Sequence, residues 1–278
     1  MVTYQEKRRT LKRWQQELTQ EMLDVGSYHI SLYHHLEDQK PIAVLIHGFG
    51  GNYFGVTPLG YELSQVYDII ICELPAHGKS RLDTFSSVKA CHQFYYDLIH
   101  QLKDYGEIQL VVGHSFGCYL VSESRVSREI PTIMVNPVFD PKSSFIKASK
   151  LSQRSNITMT LCNLSLLSPI RALFLEKVYS QEASCNISKN TLLCRNSLKQ
   201  LWKQRTMIFI SLSKQAFSKG NSACLAIVGQ KDNLSHTFDL SLFKRCFPKT
   251  EVVDLPGGHL LPLESPQETA QAILDYFD

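Results

Sequence analysis

The sequence lacks the features of membrane-spanning, secreted and metal-binding proteins. None of its apolar runs reaches the roughly 18 residues that a membrane-spanning helix needs. Its first residues, MVTYQEKRRTLKRWQQE, are charged throughout and contain no apolar signal core, so we do not expect export by a standard signal peptide. The eight cysteines form no CxxC pair and show no metal-ligand spacing. We therefore expect no metal site, reduced thiols and a cytoplasmic location.

Composition and net charge indicate an ordinary globular protein. The 278 residues are 44% hydrophobic and 20% charged, which fits one large domain or two small ones without long disordered stretches. The 14 glycines and 11 prolines are too few for a collagen-like or low-complexity chain. The net charge of +3 is too small to favour a general nucleic-acid binder, so we expect no nucleic-acid partner.

The charge is distributed unevenly along the chain. Residues 137–222 contain 13 basic and three acidic residues, a net charge of +10, whereas the rest contain 16 basic and 23 acidic residues, a net charge of −7. A basic segment on an acidic body suggests contact with an acidic partner or an anionic substrate. The alternative is that its lysines and arginines form an ordinary solvated face.

Short apolar segments alternate with helix-like segments along most of the chain. The segment 27–37 predicts a first strand. Continuous apolar runs predict buried strands at 42–48, 68–75, 108–115, 132–138, 223–230 and 250–256. Helical periodicity marks 88–102 and 265–277. This order predicts an α/β fold with a mostly parallel central sheet and helices on both faces.

Two regions fall outside this alternation. Apolar residues recur at helical spacing near the start of the chain, at Leu11, Trp14, Leu18 and Met22. This spacing predicts an amphipathic helix over 4–23 that lies on the body or binds a membrane surface or a partner. Residues 139–219 have apolar residues at helical spacing and predict a helical cap inserted after the strand at 132–138. We therefore divide the chain into an N-terminal helix at 1–24 and a domain at 25–278.

A five-residue motif predicts a nucleophilic serine. Gly113-His114-Ser115-Phe116-Gly117 fits the pattern G-x-S-x-G, in which a strand turns sharply into a helix and leaves the serine hydroxyl exposed. The surrounding sequence agrees with this reading, because the apolar run IQLVV precedes the motif and the helix-like FGCYLVSE follows it. We therefore predict Ser115 as the nucleophile.

Other segments supply the groups that a serine nucleophile needs. The glycine-rich HGFGG follows a predicted strand, and the backbone N–H groups of Phe49 and Phe116 are candidate donors to an oxyanion. Asp232 and His259 each follow a predicted strand, at the sheet edge where Ser115 is also expected. A histidine can take the serine proton, and an aspartate can hold the histidine in the required tautomer.

The order of these motifs resembles the α/β-hydrolase superfamily over nearly the whole chain after residue 24. The matching segments are HGFGG, ELPAHGKS, GHSFG, GQKD and PGGH, with serine before acid before histidine. The resemblance implies Ser115 as nucleophile, Asp232 as acid and His259 as base. Some members place the acid after the preceding strand, which makes Asp140 the alternative acid.

The chain departs from the family pattern at three positions. The loop after the 68–75 strand usually reads D-x-P-G-H-G-x-S, whereas Glu73 and Ala76 replace the aspartate and the first glycine here. This loop shapes the site without performing chemistry, so we expect little effect on the reaction. Cys118 stands where many members have a second glycine, and we expect it to tighten the packing of the turn.

The serine narrows the expected reaction. Serine supports acyl transfer through an acyl-enzyme, whereas dehalogenases and epoxide hydrolases of this fold resemble one another in using aspartate. We expect a hydrolase that cleaves a small or medium carboxylic ester without a metal or organic cofactor. A thioesterase, a lactonase and a carbon–carbon bond hydrolase are alternatives on the same triad. A catalytically silent binding or receptor protein of this fold is the alternative from another class.

The basic cap suggests a partner beyond the small acyl ester. Lys199, Lys203 and Arg205 are candidates for a surface that binds an acidic carrier protein or an anionic substrate. The layout resembles the carboxylesterases of biotin synthesis, whose acyl chain rides on an acidic carrier protein. If the cap charges are only a solvated face, a plain esterase is the better interpretation.

Overall fold

The described part of the chain is organised around one eight-stranded sheet. The computed structural model describes residues 4–37, 40–49, 51–81, 83, 85–137, 224–232, 241, 243–244 and 247–278. Its strands are β1 (Thr19–Val25), β2 (Tyr28–His35), β3 (Ile42–Ile46), β4 (Asp68–Cys72), β5 (Ile108–His114), β6 (Thr132–Val135), β7 (Cys224–Gly229) and β8 (Thr250–Leu255). The helices are α1 (Tyr4–Glu17), α2 (Thr57–Leu63), α3 (Val88–Leu102), α4 (Phe116–Val121), α5 (Ser124–Ser127), α6 (Leu261–Glu264) and α7 (Pro266–Asp275).

The strand order confirms the predicted α/β architecture. The strands lie in the order β1-β2-β4-β3-β5-β6-β7-β8. β2 pairs in antiparallel register with both β1 and β4, and every other neighbouring pair is parallel. The carboxyl ends of β3, β5, β7 and β8 therefore reach the same edge of the sheet, where the candidate functional residues follow them.

Two apolar cores cover the two faces of the sheet. The core on one face includes Phe94 and Leu98 of α3, and the core on the other face includes Leu59 of α2 and Ile273 of α7. All five residues of β3 and all five of β4 are buried. Burial on both faces explains why these strands are continuous apolar runs in the sequence instead of alternating ones.

The predicted helix over 4–23 is wrong beyond Glu17. Residues Thr19–Val25 form β1, which pairs with β2 along its whole length, and Gly26 at φ +59° begins the connection to β2. Leu18 precedes β1, and Met22 lies on its exposed side, in a strand where exposed and partly buried residues alternate. The helical part is held by Trp14, which is buried beside Tyr61 of α2. No helix in the described ranges is long and apolar enough to cross a membrane.

The predicted cap at 139–219 lies outside the described residues. β6 ends at Val135 and β7 begins at Cys224, and these two strands are parallel neighbours. The segment at 139–219 therefore connects two adjacent strands of the sheet.

The turn from β5 into α4 depends on two glycines that lie against backbone atoms. A Cβ atom on Gly117 would lie 2.5 Å from the carbonyl oxygen of Ile46 at the end of β3. A Cβ atom on Gly113 would lie 2.6 Å from the carbonyl carbon of Gly117. The start of α4 is thus packed directly on the end of β3, which only glycine at these positions permits.

Gly117→Ala should destabilise the protein because the added methyl group must push β3 and α4 apart. We expect a loss of about 1–3 kcal/mol in the free energy of unfolding, measured by urea denaturation. Gly55→Ala is the matched control, since a Cβ atom there would meet nothing within 4 Å. Equal stability of the two variants would contradict the packing described for this turn.

Candidate active site

Ser115 occupies a sharp turn at the carboxyl end of β5. It has φ +52° and ψ −110°, a left-handed conformation that costs a residue with a side chain about 1–3 kcal/mol. The backbone N–H of Ser115 donates to the carbonyl oxygen of Val135 at 2.9 Å, which ties the turn to the end of β6. The residue is half-buried, so the strained turn leaves its hydroxyl accessible at the edge of the sheet.

The structure brings the predicted serine, histidine and aspartate together in one chain of hydrogen bonds. Nε2 of His259 lies 2.8 Å from Oγ of Ser115, and Nδ1 of His259 lies 2.8 Å from Oδ2 of Asp232. The loops after β7 and β8 are also joined directly, because the N–H of Lys231 donates to the carbonyl oxygen of Gly257 at 2.9 Å. With Nδ1–H donating to Asp232, Nε2 of a neutral His259 is free to accept the hydroxyl proton of Ser115.

The two predicted oxyanion donors flank this serine. A Cβ atom on Gly48 would lie 3.0 Å from Cβ of Ser115, so the peptide that carries the N–H of Phe49 runs beside the serine. The carbonyl oxygen of Gly48 accepts a hydrogen bond from Nδ1 of His47 at 2.7 Å. Because the two ends of a peptide group point in opposite directions, this bond orients the Phe49 N–H. Phe116 supplies the first N–H of α4, and among the described residues neither N–H has a partner.

Three histidines near the site are buried and uncharged at neutral pH. Burial lowers the pKa of His47 to about 3, that of His77 to about 4 and that of His114 to about 3. Each ring lies within hydrogen-bond distance of a backbone carbonyl; for His114, Nε2 donates to the carbonyl oxygen of His259 at 2.6 Å. The uncharged His114 ring, centred 5.2 Å from the His259 ring, therefore places no positive charge beside that ring.

Two side chains outside the predicted set hold the loop that carries His259. The carboxylate of Glu264 accepts the N–H groups of Gly258 at 2.7 Å and Leu260 at 3.3 Å, the residues on either side of His259. The amide of Asn136 donates to the carbonyl oxygen of Gly258 at 2.9 Å. A carboxylate five residues after the histidine is a signal that could have indicated Glu264. Nothing in the local sequence indicates Asn136, because its partners are more than 90 residues away.

Glu73 links the loops after β3 and β4, the first of which carries the predicted oxyanion donor Phe49. Its buried carboxylate accepts the N–H of Lys79 at 2.6 Å and the N–H of Tyr53 at 3.2 Å. Burial raises the pKa of this carboxyl, while the two hydrogen bonds oppose that shift. The carboxylate lies directly against Gly78, where even a Cβ atom would overlap it. The departure from aspartate thus keeps a carboxylate in the loop and gives it a bridging position.

The other two departures are also accommodated. Ala76 has φ +64°, the left-handed region that favours glycine, which explains why the family pattern has glycine there. The thiol of Cys118 is buried and lies 3.0 Å from the carbonyl oxygen of Gly113, beneath the turn that carries Ser115. Burial raises the pKa of this thiol well above its ordinary value, so Cys118 acts as packing and not as a nucleophile.

Several predicted residues lie outside the part of the chain that the structure describes. These are the alternative acid Asp140 and the cap residues Lys199, Lys203 and Arg205. Within the described ranges, no group of three or more histidine, cysteine, aspartate or glutamate side chains could hold a metal ion.

Comparison with known proteins establishes the family. The model of the alpha/beta hydrolase family matches residues 43–272. The chain belongs to the alpha/beta hydrolase family. A search of curated proteins finds no match. The family membership, together with the fold and the sheet-edge site, makes the protein a hydrolase.

Solved structures of other hydrolases share the fold of this one. An enol-lactonase from Burkholderia xenovorans is 12% identical, with a TM-score of 0.73 over 92% of this chain and 99% of its own. A thermophilic esterase from Thermogutta terrifontis is 19% identical, with a TM-score of 0.64 over 93% and 98%. The thioesterase domain from the curacin biosynthetic pathway is 18% identical, with a TM-score of 0.60 over 92% and 99%. At these identities the likeness concerns the fold alone.

The buried histidines of this hydrolase should make it sensitive to acid. In the unfolded chain each of these three histidines has a pKa of about 6.5. Between that pH and about pH 4 the unfolded state therefore binds more protons than the folded state. Stability should therefore fall as pH falls through this range. His77→Gln should remove up to one proton from this dependence, about 1.4 kcal/mol per pH unit, in urea unfolding at pH 7.5, 6 and 5. Parallel pH profiles for wild type and variant would contradict the burial of an uncharged His77.

Proposed function

We propose that this hydrolase is a serine esterase that cleaves a carboxylic ester through an acyl-enzyme. The observation that carries the proposal is the continuous hydrogen-bond chain from Ser115 through His259 to Asp232, with both links at 2.8 Å. Asp232 and His259 are buried, which strengthens the attraction between the carboxylate and the imidazolium that forms during the reaction. Ser115 is the half-buried end of this chain, open to an ester.

The reaction then takes two steps. In the first, Oγ of Ser115 attacks the ester carbonyl carbon while Nε2 of His259 takes the hydroxyl proton; the oxyanion collapses and the alcohol leaves with that proton. In the second, water attacks the acyl-serine, His259 takes a water proton and returns it to Oγ, and the carboxylic acid is released. The N–H groups of Phe49 and Phe116 stabilise the oxyanion in both steps, and Asp232 stabilises the imidazolium.

For the acyl group and the leaving group of the substrate we propose a range of chemical classes instead of one compound. A carboxylic ester is the first choice, and a thioester, a lactone and an activated carbon–carbon bond are alternatives that the same groups could cleave. The enol-lactonase and thioesterase likenesses fit this range, since those proteins share the fold. A catalytically silent binding protein is less favoured, because such a protein has no need of the aligned Ser115, His259 and Asp232.

Ser115→Ala should remove ester hydrolysis and labelling by a fluorophosphonate probe while leaving thermal unfolding close to that of the wild type. The expected loss in kcat is about 10⁴–10⁶-fold, because no other described group takes the position of the nucleophile. Hydrolysis of p-nitrophenyl esters of increasing acyl length measures it. A folded Ser115→Ala protein with near-wild-type turnover would rule out this nucleophile, and a wild type that the probe never labels would favour the silent binding protein.

The two candidate acids provide the matched pair for this series. Asp232→Asn should lower kcat by about 10⁴-fold, because the amide would favour the wrong tautomer of His259. Asp140→Asn should leave kcat near the wild-type value. The opposite ranking, in variants of equal stability, would move the acid to the segment after β6.

We also propose that the basic cap recruits an acidic carrier protein or an anionic substrate. The support is the charge distribution in the sequence, +10 over residues 137–222 against −7 elsewhere. Surface charges act on encounter and are screened beyond about 8 Å at physiological salt. Such a surface would therefore raise the association rate without touching the groups that perform the reaction.

Reversing the charge of Lys199, Lys203 and Arg205 together to glutamate tests this surface. For an acyl-carrier or anionic ester, kcat/KM should fall, and the wild-type advantage should shrink as salt is raised. Turnover of a small neutral ester is the control and should barely change. An equal effect on both substrates, or no dependence on salt, would reduce these charges to a solvated face.

A further inference from the structure

The side chain of Asn136 lies where the acid-bearing and base-bearing loops meet. Asn136 directly follows β6, is fully buried and has φ +50°. Its amide nitrogen donates to the carbonyl oxygen of Gly258 at 2.9 Å, and its amide oxygen accepts the N–H of Gly229 at 2.7 Å. Gly258 precedes His259 in the chain, and Gly229 is the last residue of β7. One amide therefore joins three strand ends.

Both of these contacts lead to residues of the proposed triad. The carbonyl oxygen of Gly229 accepts the N–H of Asp232 at 2.9 Å, so the turn that carries the acid begins at the residue whose N–H Asn136 binds. Gly229 also packs on Gly258, because a Cβ atom on Gly229 would lie 2.4 Å from the carbonyl oxygen of Gly258. Because Gly229 and Gly258 lie this close together, the short side chain of Asn136 can bond to both loops.

The backbone of Asn136 is itself fixed. Its N–H donates to the carbonyl oxygen of Ile227 in β7 at 2.8 Å, which continues the pairing of β6 with β7. Its left-handed backbone conformation is one that asparagine tolerates better than most residues do. The amide thus starts from a fixed backbone, and its two hydrogen bonds go to the backbone of Gly258 and Gly229 and not to the side chains of Ser115 or His259.

We propose that Asn136 is a positioning residue that sets the spacing between Asp232 and His259. The proposal rests on the proposed function, because it concerns the same triad. An amide is required because the two contacts need one donor and one acceptor on the same planar group. Aspartate has the same shape but only accepts when ionised, so its second oxygen would face the carbonyl oxygen of Gly258. Displacement of the base by even about 1 Å can lower turnover by about 100-fold.

The test compares three variants by the rate at which a fluorophosphonate labels the protein across pH. Asn136→Asp keeps the shape and loses the donor, and Asn136→Gly removes the side chain while suiting the left-handed backbone. Thr132→Val is the control, because it removes another buried hydrogen bond from the same strand, from Oγ1 to the carbonyl oxygen of Ile130 at 3.2 Å. Urea unfolding at each pH gives the folded fraction by which every rate is divided.

Both Asn136 variants should label about 10- to 100-fold more slowly per folded molecule, whereas Thr132→Val should stay within about twofold of the wild type. In Asn136→Gly the dependence of the labelling rate on pH should also differ from that of the wild type, because a longer contact with Asp232 orients the base less well. A residue that served stability alone would change neither the corrected rate nor the shape of this pH profile.

Two outcomes separate this inference from the proposed function. Wild-type labelling at Ser115 together with Asn136 variants that match Thr132→Val would overturn the positioning role and leave the triad intact. Absence of labelling in the wild type would instead overturn the proposed function. If Asn136→Asp does not fold, Asn136→Gly decides the question with the same two readouts.

Discussion

The close approach of α4 to the end of β3 is the constraint on which the site depends. Gly117 lies so near the carbonyl oxygen of Ile46 that no side chain fits between them. Ser115 lies beside this contact at the tip of β5 in a strained conformation, and its Cβ atom lies close to Gly48 in the loop that follows β3. The proposed nucleophile and one proposed oxyanion donor, Phe49, therefore follow adjacent parallel strands, β5 and β3. The strain at Ser115 is sustained because the surrounding sheet is buried on both faces.

Hydrogen bonds between loops connect the ends of the strands from β3 to β8. Glu73 joins the loops after β3 and β4, while Asn136 joins the ends of β6 and β7 to the loop that carries His259. His114 and Glu264 hold the backbone on both sides of His259. These supports are buried or partly buried, where polar groups left without partners are costly. The alignment of Ser115, His259 and Asp232 thus rests on a sheet edge whose loops are hydrogen-bonded to one another.

Site residues that lie in a recognisable local motif could be predicted from the sequence. Residues whose role depends on partners distant in the sequence could not. The glycine spacing around Ser115 and the strand-loop positions of Asp232 and His259 leave local patterns. Asn136 leaves none, because its partners lie 93 and 122 residues away along the chain. The sequence predicts a helix where β1 forms, because the apolar residues of a partly solvated edge strand can recur at spacings that also fit a helix. The segment at 139–219 interrupts the strand alternation in the sequence, and its charges predict at most the chemical class of a partner.

The most direct test of the central claim is a crystal structure of the protein after reaction with a fluorophosphonate. We predict a covalent bond from phosphorus to Oγ of Ser115, with the phosphonyl oxygen within hydrogen-bond distance of the N–H groups of Phe49 and Phe116. His259 should remain bonded to Asp232 through Nδ1. Phosphorus on any other residue, or a phosphonyl oxygen directed away from both N–H groups, would contradict the account of how this turn creates the site.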